Sequence, residues 1–105
     1  MKFEKNLDVI ETDVMVIGGG PAGVAAAVSA SRNVSKVLLI EAKSVLGGMS
    51  TSALVGPFMT CFDDEPTEQI VKGVFEELVT QAEIRGGAIH PSKIDAGTTY
   101  SSYLI

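Results

Sequence analysis

Three glycines and one carboxylate carry the clearest chemistry in this sequence: Gly18, Gly20 and Gly23 in the run DVMVIGGGPAG, and Glu41 at the end of KVLLIE. Glycines at that spacing leave backbone N–H groups open to an anion, and a helix start behind them adds about half an elementary positive charge. Gly18 allows a tight turn, Gly20 lets the backbone approach a pyrophosphate, and Gly23 lets a helix pack closely on a sheet. Pro21, followed by Ala22, takes the first helical turn, where a missing N–H removes nothing that was paired. A carboxylate about 20 residues beyond the glycine turn is positioned to accept hydrogen bonds from adenosine ribose hydroxyls. It also opposes a 2′-phosphate, which argues against NADP. The competing reading of Glu41, a solvated residue at a strand end, is disfavoured by its register with the glycines.

Eleven glycines in 105 residues can produce this spacing by accident, so the elements around it decide. VMVI is a continuous apolar run bounded by Asp13 and the glycines, which suits a strand covered on both faces of a parallel sheet. Residues 21–32 are rich in alanine and read as a helix that permits close approach, with Val24 and Val28 on one face. Asn33 is a plausible left-handed stop. Residues 36–41 form the second strand, and the crossover should be right-handed. Residues 13–41 are thus a Rossmann-like βαβ dinucleotide-binding unit of the α/β class.

Beyond it, AKSVLGGMSTS brings a second glycine pair, Gly47 and Gly48, with Met49, Thr51 and two serines close by. Exposed backbone N–H groups and short hydroxyl donors suit a phosphate or the edge of a flavin; an ordinary turn is the alternative. Residues 53–62 are apolar and broken by Gly56-Pro57, hence extended or irregular. An acidic stretch, 63–68, leads into Ile70, Val71, Val74, Phe75, Leu78, Val79 and Ala82, whose spacing predicts an amphipathic helix over 67–85. Gly73 weakens that helix by roughly 1 kcal/mol relative to Ala, and Gly86-Gly87 stops it. Leu7, Val9 and Phe3 could make a short edge strand or arm, and the tail 88–105 has no clear period.

Composition narrows the function classes. A chain of 105 residues holds one small domain, and 46% hydrophobic residues supply its core. The net charge of −5, without a block of Lys or Arg, disfavours nucleic acid and anionic membranes as partners. The N-terminus lacks an apolar h-region and no apolar run approaches the roughly 20 residues of a membrane span, so a cytoplasmic protein is expected. Cys61, the single cysteine, excludes an internal disulfide and a multi-cysteine zinc site, and reads as a buried thiol. His90 is the single histidine and reads as structural; no Ser-His-Asp or Cys-His set emerges from spacing, so no catalytic residue is assigned.

Taken together, VIGGGPAGVAAAVSASR, KVLLIE, LGGMSTSALVGPFM and QIVKGVFEELV resemble the N-terminal part of the FAD-dependent oxidoreductases related to fumarate reductase and glutathione reductase-type flavoproteins. The match covers roughly residues 13–87. The resemblance implies that this segment clasps the ADP half of FAD. Gly18, Gly20 and Gly23, with Pro21 and Ala22, then meet the pyrophosphate; Glu41 meets the ribose with Ala42 and Lys43 beside it; Gly47, Gly48, Met49 and Thr51 approach further along. The family pattern has a glycine about where Val34 stands and an alanine at Ser31, and no redox cysteine pair follows the second glycine pair here, which argues against a disulfide reductase.

Members of that family are several times longer. The chain is therefore expected to be a partial FAD-binding domain spanning 1–105, completed by missing segments or by its own copies as a homo-oligomer. Its expected role is to grip FAD for a flavin-dependent oxidoreductase of unknown substrate, without activity on its own. The alternatives are a nucleotide-binding module without redox activity and an oligomer-stabilised fragment that binds no cofactor.

Overall fold

The computed structural model describes residues 8–33, 36–57, 61–62 and 68–93. Phe3 and Leu7, Val34, residues 58–60 and 63–67, and the tail from 94 onward lie outside the described residues. Two strands, β1 (Val14–Ile17) and β2 (Val37–Ile40), pair in parallel in the register Val14 to Val37 through Ile17 to Ile40. The helix α1 (Pro21–Ser31) connects them. This is the βαβ unit that the apolar runs and the glycines predict.

Parallel pairing with a side-chain period of two divides the sheet into two faces. Val14, Val16, Val37 and Leu39 share the face against α1, where Val16 Cγ1 lies 3.6 Å from the position a Cβ would take on Gly23. Met15, Ile17, Leu38 and Ile40 share the opposite face. There Met15 is 54% exposed, Ile17 76% and Ile40 42%, so the face stays uncovered among the described residues. The ladder is tied off at its start by Asp13 and Thr12. The Asp13 carboxylate accepts the Lys36 N–H at 2.9 Å, and the Thr12 hydroxyl donates to the Lys36 carbonyl at 3.0 Å.

The end of α1 departs from expectation at Asn33. Among the described residues Leu54 is the one non-glycine with positive φ, so Asn33 is not a left-handed stop. Its side chain does the work instead: Nδ2 donates to the Ser29 carbonyl at 2.8 Å, and the Ser31 hydroxyl donates to Val28 O at 2.8 Å. Carbonyls that a helix end leaves open are satisfied by short polar side chains without a change of backbone hand.

The second helix is shorter than its periodicity predicts. It is α2 (Val74–Ile84), beginning behind Gly73 rather than at 67. Gly73 sits at φ 73°, ψ −128°, a conformation foreign to a helix interior, and its carbonyl accepts the Glu77 N–H at 3.1 Å. The N–H groups of Ile70 and Val71 both donate to Cys61 O, and Phe62 and Gln69 form an antiparallel bridge. The C-terminus follows prediction. Gly86, at φ 73°, donates to Glu83 O and Gly87 donates to Ala82 O, the double bond pattern of a left-handed helix stop.

α2 packs against α1, and an exposed ion pair, Arg32 to Glu77 at 2.7 Å, joins them. Ala27, Cys61, Val79 and Ala88 are the buried hydrophobic side chains among the described residues. Cys61 is thus the buried thiol expected. No helix among the described residues is long and apolar enough to cross a membrane.

Candidate functional site

The site is built where β1 runs out. The Gly18 N–H donates to Ile40 O at 2.8 Å, carrying the parallel ladder one step past the strand, and Gly18 then turns at φ 100°. A Cβ on Gly23 would fall on the carbonyl oxygen of Gly18, so the helix lies as close to the turn as glycine permits. At Gly20 a Cβ would meet nothing within 4 Å: the space over this residue is open. Gly20 is also the N-cap of α1, its carbonyl accepting the Val24 N–H at 2.9 Å, with Pro21 directly behind it. No side chain caps this helix start and no acid stands in its first turn. The first-turn N–H groups, including those of Ala22 and Gly23, therefore offer a bare anion-binding end.

The second glycine pair, distant in sequence, comes to the same place. The Gly47 N–H donates to Gly19 O at 2.8 Å, and a Cβ on Gly48 would lie 3.1 Å from Gly20 Cα and 3.6 Å from Pro21 Cδ. Gly47 and Gly48 adopt positive φ, 99° and 50°, entering the short 3-10 turn Gly48–Ser50. Thr51 faces inward to this turn: its hydroxyl donates to Leu46 O at 2.6 Å. Met49 and Lys43 are exposed, and Ala42 lies exposed between Glu41 and Lys43.

Glu41 ties the first glycine turn to the segment that follows β2. Oε2 accepts the Gly19 N–H at 2.6 Å and Oε1 accepts the Lys43 N–H at 2.9 Å. The hydrogen bond from the Lys43 backbone, then that from Gly19, holds its carboxyl below the usual carboxylate range. Gly19 is the residue that motif spacing passes over. A Cβ there would lie 2.5 Å from Leu46 Cδ2 and 3.1 Å from Glu41 Oε2. The middle glycine of the GGGP run is the available signal.

A cavity of about 360 Å³ opens beside this cradle, between Pro21, Val24 and Ala25 of α1, Thr51 of the second turn, and Phe75 and Leu78 of α2. A separate hydrogen-bonded group joins α2 to the 3-10 turn Pro91–Lys93. The Ser92 N–H, which can only donate, reaches His90 Nδ1 at 3.2 Å, so Nδ1 accepts and Nε2–H donates to Glu76 Oε1 at 2.8 Å. The Ser92 hydroxyl also meets Nδ1, and Gln69 Nε2 donates to the other oxygen of Glu76. Spacing gave no sign of this set. Its serine and histidine belong to one turn, and the group ties that turn to α2.

The family model described as FAD dependent oxidoreductase matches residues 13–103. Fumarate reductase (cytochrome) of Shewanella frigidimarina is 36% identical over 75 residues, covering 71% of this chain and 13% of the relative. Thiamine thiazole synthase of Methanococcus vannielii is 33% identical over 70 residues, 67% of this chain and 26% of the relative. The alpha subunit of sarcosine oxidase from Corynebacterium sp. (strain P-1) is 51% identical over 39 residues, 37% of this chain and 4% of the relative. The chain spans 13% of the length of the fumarate reductase it matches. No solved structure matches it significantly. A Rossmann-like βαβ unit with a bare helix start, matched over nearly its whole length by one family model, places the chain in the FAD dependent oxidoreductase family, whose cofactor is FAD.

Proposed function

We propose that this chain grips the ADP half of FAD for a flavin-dependent oxidoreductase. The observation that carries the reading is the open space over Gly20 at an uncapped helix start, with the second glycine pair against Gly20 and Glu41 bonded to the adjacent Gly19. The pyrophosphate takes the N–H groups of Gly20, Ala22 and Gly23 around Pro21, above the turn that Gly18 makes. Glu41, flanked by Ala42 and Lys43, accepts from the ribose hydroxyls, while Gly47, Gly48, Met49 and Thr51 border the cofactor further on. When bound, the flavin ring supplies the electron and hydride chemistry. The residues described here bind and orient it, and we assign none as an acid or base. The substrate-bearing part is supplied by further polypeptide or by another copy, so the chain alone gives no turnover.

Titration of the full chain with FAD and with ADP, followed by flavin fluorescence and thermal melting, tests this. Both ligands should bind, and ADP carrying a 2′-phosphate should bind more weakly. Gly20→Val and Glu41→Arg should each weaken FAD binding at least tenfold, about 1.4 kcal/mol. Unchanged affinity in both variants would sink the proposal.

A further inference from the structure

Glu41 is bonded within the cradle by both of its oxygens. Oε2 takes the N–H of Gly19 and Oε1 the N–H of Lys43, at 2.6 and 2.9 Å. The carbonyl of Gly19 takes the N–H of Gly47 at 2.8 Å. The peptide groups on both sides of Gly19 are thereby fixed, one by a side chain at the end of β2 and the other by the second glycine turn. Gly19 stands between the tight turn at Gly18 and the open position at Gly20, so its orientation sets where the anion-facing N–H groups point.

A carboxylate has about four lone-pair sites, of which these bonds use two. The remaining two are enough for a vicinal diol.

We infer that Glu41 is a positioning residue for the diphosphate turn: its carboxylate holds the Gly19 peptide in place before any nucleotide arrives, in addition to the ribose contact, and this inference rests on the nucleotide reading above only for the second of those roles. The ionised form is required, because a protonated carboxyl replaces an acceptor with a donor facing an N–H. The Lys43 ammonium is the charged neighbour and favours the same ionised form. Charge-assisted bonds to backbone N–H groups are the stronger kind. Ribose recognition and turn geometry thus depend on one side chain, and a substitution intended to alter nucleotide preference also loosens the diphosphate turn.

The test uses the full ¹⁵N-labelled chain without ligand, followed by NMR as pH is lowered from 7 toward 2.5. The amide proton resonances of Gly19 and Lys43 should move together, with one midpoint below the ordinary carboxylate range. Glu41→Gln should abolish that shared transition and speed hydrogen exchange at the Gly19 amide at least tenfold. Amides of Gly19 and Lys43 indifferent to pH over that range would overturn the inference, as would a Gly19 exchange rate unaffected by Glu41→Gln. If the variant does not fold, the wild-type titration decides. ADP titration of the same sample keeps the two claims apart. A shared transition with no ADP binding supports the positioning role and removes the nucleotide reading; ADP binding without the transition leaves Glu41 as a ribose contact and overturns the inference.

Discussion

Each glycine of the cradle is required for a different reason, and single substitutions separate those reasons. At Gly23 a Cβ would meet the Gly18 carbonyl, so Gly23→Ala forces the helix off the turn and should cost about 1–3 kcal/mol in a denaturant titration. At Gly20 the backbone is at φ −69° and a Cβ meets nothing within 4 Å, so Gly20→Ala should leave the unfolding midpoint nearly unchanged. A Gly20→Ala variant as unstable as Gly23→Ala would show that the two positions do not differ in this way. The spacing of Gly18, Gly20 and Gly23 was legible from sequence because each meets a backbone requirement local to the turn. The need for glycine at Gly19 was not, because it arises from Leu46 and Glu41, which reach the turn only after β1 and β2 have paired.

At the scale of elements, α2 is held by its ends. Gly86 has positive φ with open space around it, so Gly86→Ala brings strain without a clash and should destabilise by about 1 kcal/mol. On the helix surface, Glu76 and Glu83 carry the attachment of the turn Pro91–Lys93. The Gln69 amide, then His90, lowers the pKa of Glu76; the Lys93 ammonium, then the His90 N–H, lowers that of Glu83. A depressed folded-state pKa contributes stability that is present above the unfolded carboxylate value, about 4.3, and is lost as pH falls through the lower folded value. Melting temperature should therefore drop as pH is taken from 5 to 3, and less steeply in Glu76→Gln. An equal slope in the two proteins would exclude Glu76 from the acid response. Apolar periodicity placed α2 correctly across Val74, Leu78 and Ala82, but not its start. Ile70 and Val71 continue the spacing while their N–H groups go to Cys61 O, a pairing with a segment whose approach no local pattern records. The link between His90 and Glu76 was equally hidden, since it depends on where Gly86 and Gly87 turn the chain.

The whole molecule has a well-made cradle on a half-covered sheet. Met15, Ile17 and Ile40 present a contiguous apolar face that no described residue buries. Such faces bind apolar dyes, so the chain should enhance the fluorescence of anilinonaphthalene sulfonate, and Ile17→Lys should reduce the enhancement. Equal emission from the two would place the dye elsewhere. The cradle itself spans a long stretch of chain, because the N–H of Gly47 reaches back across β2 to Gly19. Closing a loop of roughly 28 residues costs about 3 kcal/mol of chain entropy. A ligand held by both turns and present at 100 times its Kd returns about 2.7 kcal/mol. On the proposed reading, a nucleotide lying across both turns, which already touch at Gly20 and Gly48, would act as a reversible cross-link in the first half of the chain, and resistance to proteolysis there should rise with its concentration.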